Sequence, residues 1–258
     1  MQVSHHALQV AVYIIQMSNA HGRSPSCPQR ILANHCFHIR TTAETTIVDE
    51  VASELKESVE RISRHSVPSD TVELARALLG KVLVREFDGA IAAGRIMETE
   101  AYLQHDPACH AFGGMTSRNR SLFLEHGHAY VYLCYGTSYL LNVSSEAGGI
   151  GSGVLLRALQ PLYGIEHMQR NRSHVKLIDL ARGPGRLTAA LQVDRRHDGL
   201  NLFTDKQLWI GSDGHSIESI GESVRIGLSK AADERLRYFV TGSRYLSGPR
   251  KLNEPTEK

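Results

Sequence analysis

The sequence predicts one α+β domain behind an N-terminal extension, and three observations carry that expectation. Residues 1 to 43 contain no Asp or Glu, unlike everything after them. From Asp49 to Gly80 the apolar residues recur at helical spacing. Beyond Lys81 the pattern turns to short alternating runs bounded by Gly and Pro, with two further helical stretches among them. A chain of 258 residues is long enough to bury a core. Its 41% hydrophobic and 22% charged residues exclude wholesale disorder, a collagen or a membrane protein. The longest apolar stretch, near Ala7 to Ile15, is too short to span a bilayer. The expected organisation is an irregular extension over 1–48, the domain over 49–250 and a polar tail over 251–258.

Taken in order, Val51, Leu55, Val59 and Ile62 predict an amphipathic helix from Asp49 to His65. A second helix starts at Asp70, with Glu73 three residues on as in a capping box, and ends at Gly80. Lys81–Phe87 and Ala90–Leu103 form a hairpin around Asp88-Gly89. Tyr130–Tyr135 alternates and is rich in strand formers, with a turn at Gly136 and a partner strand from Leu140 to Val143. The glycine-rich run Gly148–Gly153 reads as a flexible connection, having neither P-loop nor dinucleotide spacing. Val154–Ala158 is a buried strand, Pro161–Arg172 a helix, and Gly183-Pro184 opens a short helix. Strands return at Leu208–Ile210, Ser223–Gly227 and Leu236–Thr241.

The acid-poor extension carries Arg23, Arg30 and Arg40 and faintly resembles a transit peptide, so organellar targeting stands beside a disordered tail or an overlong start. Cys27, Cys36, Cys109 and Cys134 have no disulfide or zinc spacing, and reduced thiols in an intracellular compartment are expected. Cys27, His35, Cys36 and His38 read as incidental, so no metal is expected.

Net charge is only +2, short of a strongly basic nucleic-acid binder. Arg118 to Arg186 nevertheless holds seven Arg and one Lys against three Glu and one Asp, a local basic excess. Within that region and just before it lies the chemistry. In Ile96–Tyr102, strand alternation puts Glu98, Glu100 and Tyr102 on one face. Two acids and a phenol suit a cleft better than a core, and a half-exposed strand with a solvated acidic face is the plainer alternative. His110, Arg118, Arg120, Tyr130, Tyr132, Tyr135, Asn142 and Arg157 follow within sixty residues. Aromatics interleaved with arginines suit a surface that stacks bases and holds phosphates.

The segments M-E-T-E-A-Y (97–102), C-H-A-F-G-G (109–114), R-N-R (118–120), Y-V-Y-L-C-Y-G (130–136), Asn142, V-L-L-R-A-L-Q-P (154–161) and G-P-G-R-L (183–187) closely resemble the alkyladenine, or 3-methyladenine, DNA glycosylase family. Arg225-Ile-Gly227 and Leu236–Phe239 resemble its closing strands, and the likeness runs from about Leu74 to Ser247. It implies a compact domain around a curved antiparallel sheet. It further implies a monofunctional base-excision repair enzyme that flips and excises alkylated, deaminated or etheno purines from double-stranded DNA without a cofactor or catalytic metal; a monomer with no membrane partner is the default expectation.

Residue by residue, the likeness makes Glu100 the catalytic carboxylate and Arg157 its helper in holding the water or a phosphate. Tyr102, His110 and Tyr132 become the purine pocket, and Asn142 the residue that crowds a guanine amino group. Tyr135 becomes the wedge, with Arg118 and Arg120 as DNA contacts. Thr137 stands where relatives often carry Met beside the wedge. Glu98 is expected behind the site or on the surface. No lysine occurs between Lys81 and Lys176, which disfavours a Schiff-base lyase step. A damaged-DNA binding module without catalysis, and an unrelated protein sharing only the fold, are the competing readings; intact Glu100 favours the enzyme.

Overall fold

The computed structural model describes residues 53–254 apart from 56 and 88. The extension over 1–48, its targeting reading and the Cys27–His38 group lie outside the described residues.

One strand organises the sheet. The strands are β1 (Glu60–Arg61), β2 (Val82–Phe87), β3 (Ala90–Tyr102), β4 (Ala129–Cys134), β5 (Ser138–Ser144), β6 (Gly153–Tyr163), β7 (Leu208–Ser212), β8 (Ile220–Ser223) and β9 (Arg237–Val240). The order is β1-β7-β2-β3-β6-β5-β4, with β9 joining β3 to β8, and every pairing is antiparallel. β3 has β6 along one edge; on the other it has β2 beside its first half and β9 beside Glu98–Glu100. It is buried from Ile91 to Ala101, so the half-exposed acidic strand is corrected: Glu98 and Glu100 have no exposed surface.

Helices α1 (Thr71–Ala77), α2 (Ile165–Asn171) and α3 (Pro184–Ala190) cover one face. Leu74, Met168 and Leu187 from these helices meet Ile96, Leu141 and Leu156 from the sheet, all fully buried. Each such side chain contributes roughly 1.5–3 kcal/mol on leaving water. The opposite face carries a smaller cluster at the β2 end, with Leu55, Val59, Val84 and Trp209, and the candidate site at the other end of β3. Asp70 caps α1, accepting from the Val72 and Glu73 amides at 3.0 and 2.9 Å. Among the described residues no helix is long and apolar enough to cross a membrane.

Four boundaries differ from the sequence expectation, each for a local reason. The helix expected over 49–65 is helical only at 53–55 and 57–58 among described residues, because Glu60–Arg61 pairs with β7. There Gly211 leaves room that a Cβ would take from Val59 and the Glu60 carbonyl. The helix expected from Pro161 starts at Ile165, since β6 continues to Tyr163. Pro161 is accommodated beside a register shift, and Gly164 (φ +62°) ends the strand against the Ile91 carbonyl. β8 spans 220–223 rather than 223–227, because Arg225 and Ile226 turn away to bond the end of β3. The glycine run at 148–153 is closely packed: a Cβ on Gly151 would collide with Ala111 and Phe123.

Candidate active site

The acidic strand acquires its orientation from two bulges. Pairing runs Ile96↔Leu159, Glu98↔Ala158 and Thr99↔Leu156, which skips Met97 on β3 and Arg157 on β6. Ala92 and Ile96 therefore face the helices, and so do Thr99, bonded to the Ala75 carbonyl, and Ala101. Met97, Glu98, Glu100 and Tyr102 face the other way, where Met97 packs on Phe239 and Leu246.

On that side Arg157 bridges the two carboxylates, giving Nε to Glu98 at 2.8 Å and Nη1 to Glu100 at 3.1 Å. Glu100 Oε2 also accepts from the Tyr102 hydroxyl at 2.9 Å, and Oε1 from the Ile226 amide at 2.7 Å. Glu98 is no surface acid. It accepts from Arg157, from Arg237 Nε at 2.7 Å and from the Ser247 amide at 2.6 Å. Burial pushes the Glu98 carboxyl up, but Arg157 and Arg237 outweigh it and hold it below its ordinary value. Burial works against the Arg157 charge too, and Glu100 and Glu98 more than restore it. Removing one member of such a buried set costs about 3–5 kcal/mol, because the partner is left uncompensated.

In front of these charges lies a cleft of about 590 Å³, lined by Tyr102, His110, Tyr130, Tyr132, Asn142 and Arg157, with Arg118 and Tyr135 also contributing. Arg225, paired with Asp106, lies 4.6 Å over the Tyr102 ring. Loss of solvent, followed by the neighbouring Glu100, raises the Tyr102 phenol and keeps it a donor. His110 stands edge-on to Tyr132, ring centroids 4.5 Å apart, with Nδ1 3.0 Å from the Tyr130 hydroxyl. Burial, then the Arg118 charge, lowers the His110 imidazole, favouring the neutral ring. Burial pushes Tyr130 up to about 12, so its hydroxyl stays protonated. Asn142 Nδ2 donates to the Tyr130 carbonyl at 3.2 Å. Asn119, between Arg118 and Arg120, is buried and donates to the His110 carbonyl at 2.8 Å, tying that loop down.

At the mouth, three residues join β4 to β5, and the Thr137 amide closes a turn on the Cys134 carbonyl at 3.1 Å, with Tyr135 at φ +48° and Gly136 at φ +70° between them. Positive φ at both central positions is the type I′ pattern, for which Asn-Gly is the comfortable choice. A tyrosine there is strained, and it is 92% exposed.

The sequence-predicted residues thus divide. Tyr102, His110, Arg118, Tyr132, Tyr135, Asn142 and Arg157 line one cleft, and Glu100 sits directly behind Tyr102 and Arg157. Arg120 is exposed outside that lining, and Thr137 lies on a separate shallow cleft against α3. Tyr130, read from sequence only as part of the aromatic run, is the His110 partner. Arg237, Ser247, Arg225 and Asn119 were not singled out. An arginine inside the apolar run Leu236–Phe239 was the available signal for the first of them.

An aromatic cleft backed by a hydrogen-bonded carboxylate, beside an exposed tyrosine on a strained turn, fits an enzyme acting on a nucleic-acid base. The methylpurine-DNA glycosylase family model matches residues 65–244. A protein of Mesorhizobium japonicum is 58% identical over 193 residues, covering 75% of this chain and 93% of the relative. One of Paraburkholderia phytofirmans is 49% identical over 189 residues, covering 73% and 89%, and one of Koribacter versatilis 47% over 186, covering 69% and 89%. All three carry the assigned name 3-methyladenine DNA glycosylase. The chain belongs to the methylpurine-DNA glycosylase family, hydrolases of N-glycosyl bonds that act in the repair of damaged DNA.

Proposed function

We propose that this glycosylase works as a monomer on duplex DNA, extrudes a damaged purine into the cleft and releases it by hydrolysis without cutting the strand. Its substrates on this reading include 3-methyladenine, hypoxanthine and ethenoadenine. The observation that carries it is Glu100 directly behind the aromatic cleft, its Oε1 accepting from the amide of Ile226, a residue of the cleft wall.

A water donating to that oxygen gives up its proton to Glu100 as its oxygen bonds to the sugar C1′, and the purine leaves with the electron pair of the N-glycosyl bond. The oxocarbenium-like sugar is offset by the same carboxylate. An alkylated purine already carries positive charge and leaves readily, whereas hypoxanthine and ethenoadenine need protonation on the ring. Arg157 and Tyr102 hold Glu100 in place by its other oxygen. Tyr102, His110 and Tyr132 supply stacking of about 1–3 kcal/mol per base, which favours electron-poor alkylated rings. Asn142 crowds the guanine amino group, and Tyr135 occupies the gap in the stack with Arg118 and Arg120 near the backbone. Among the described residues no lysine lines the cleft, which supports a hydrolytic rather than a lyase reaction.

Chromatography of bases released from methylated DNA, and from duplexes with one hypoxanthine or one ethenoadenine, tests the substrate range. Release of all three is expected. Release of 3-methyladenine alone would restrict the reading to charged leaving groups, and lesion binding without any release would overturn it.

A further inference from the structure

Four buried charges meet behind the cleft: Glu98 and Glu100 from β3, Arg157 from β6 and Arg237 from β9. Arg157 is shared between the two acids. Arg237 stands directly across from Glu100 in the β3–β9 register, yet its Nε bonds Glu98. Its other N–H groups go to Ser223 Oγ, to the Leu252 carbonyl at 2.8 Å and to Asn253 Oδ1 at 2.6 Å. Ser247 closes the ring: its Oγ accepts from Arg157 Nη2 at 3.0 Å and donates to Glu98 at 2.9 Å. Ser247, Leu252 and Asn253 all lie beyond residue 244, where the family match ends.

We propose that Arg237 and the C-terminal segment Ser247–Asn253 are positioning elements for the reaction: they neutralise Glu98, so that the charge of Arg157 is left for Glu100. This rests on the reading of Glu100 as the reacting carboxylate. With all four groups charged the cluster is neutral. Without Arg237, one guanidinium faces two carboxylates, and a net negative cluster takes up a proton more easily. Without the Glu98 charge the cluster is net positive and takes one up less easily. The other groups facing Glu100 stay constant in both cases: the Tyr102 phenol with Arg225 and Asp106 behind it, the Ile226 amide and the Tyr132 phenol.

The test is the pH dependence of single-turnover hypoxanthine excision from duplex DNA for the full chain and for Arg237→Gln, Glu98→Gln and the charge-balanced double variant. Lesion affinity and thermal melting are measured alongside. In Arg237→Gln the acid limb moves up by about one pH unit and in Glu98→Gln it moves down by about one. The double variant returns it to the wild-type position. Rates in the single variants fall by about 10–100-fold with affinity unchanged, as for other groups that orient a reacting ligand. Should Arg237→Gln not fold, Ser247→Ala and Asn253→Ala carry the same prediction, a slower reaction with the acid limb raised. Limbs that stay fixed, or move in the same direction, in folded variants overturn the inference. Glu100→Gln separates the two ideas. If it keeps the wild-type rate, the reading of Glu100 fails; if it is inactive while the limbs stay fixed, only the positioning role falls.

Discussion

Beside the acids, strand pairing skips Met97 on β3 and Arg157 on β6, and the bulge at Met97 turns Glu98 and Glu100 off the helix-covered face. Before the bulge Ala92 and Ile96 face the helices, and after it Thr99 and Ala101 do. Without the shift in phase, both acids would point into the apolar core, where an unpaired carboxylate is costly. With it, they meet Arg157, brought round by the matching bulge. Deleting Met97 by one-residue excision should therefore abolish folding or activity far more than Met97→Leu, which keeps the count of residues and costs less than about 1.5 kcal/mol. Thermal melts of the two variants check this, and equal stability would contradict it.

Tyr135 combines 92% exposure with φ +48°, so it does little for the fold and is held at some cost. Tyr135→Gly should melt at or above the wild-type temperature, since a left-handed non-glycine residue costs roughly 1–2 kcal/mol and the added chain entropy of glycine offsets part of the gain. Excision should nevertheless slow, because the wedge is gone. A variant with wild-type single-turnover excision and lesion affinity would remove Tyr135 from that role.

Arg118 and Arg120 are both exposed and flank the buried Asn119. If each meets one phosphate, Arg118→Ala and Arg120→Ala should each reduce the slope of log affinity against log salt by about one, with little effect on the choice of lesion. Fluorescence titrations between low and moderate salt measure the slope. A wild-type affinity that ignores salt would contradict phosphate contact altogether.

Acid should weaken the fold through specific carboxylates. The Glu98 carboxyl is held below its ordinary value, and Arg95 brings Asp213 down to about 2. Depressed carboxylates contribute stability that is complete above their unfolded values and is lost as pH falls through the folded ones. Urea midpoints should thus hold steady above about pH 5 and decline steadily toward pH 2. Asp213 is partly exposed, so solvent screening limits its share to on the order of 1 kcal/mol, and Asp213→Asn should flatten the lower part of the curve by that amount. Midpoints independent of pH across this range would contradict the assignment.

Much of the fold was legible because local chemistry declared it: the pairing of β2 with β3, the alternating Tyr130–Cys134 strand and the Pro184 helix start all form where their residues predict. The cleft residues were legible through motif likeness, not through spacing. What stayed hidden depends on contacts far apart in sequence. Alternation put Glu98, Glu100 and Tyr102 on one face correctly, but said nothing of which face, because a bulge leaves no mark in a single strand. Arg237 and Ser247 meet Glu98 across 139 and 149 residues. The apolar run Leu236–Phe239 flags its arginine as buried, but nothing local in it names the carboxylate that the arginine meets.

The most direct measurement is single-turnover excision from a duplex carrying one ethenoadenine or one hypoxanthine, with wild type and Glu100→Gln in parallel, each developed with and without alkali. The expected result is base release by wild type, strand breakage only after alkali, and a loss of about 100-fold or more in Glu100→Gln with lesion binding retained. Excision by Glu100→Gln within about 3-fold of wild type would contradict the role given to that carboxylate, and strand breakage without alkali would contradict a purely hydrolytic reaction.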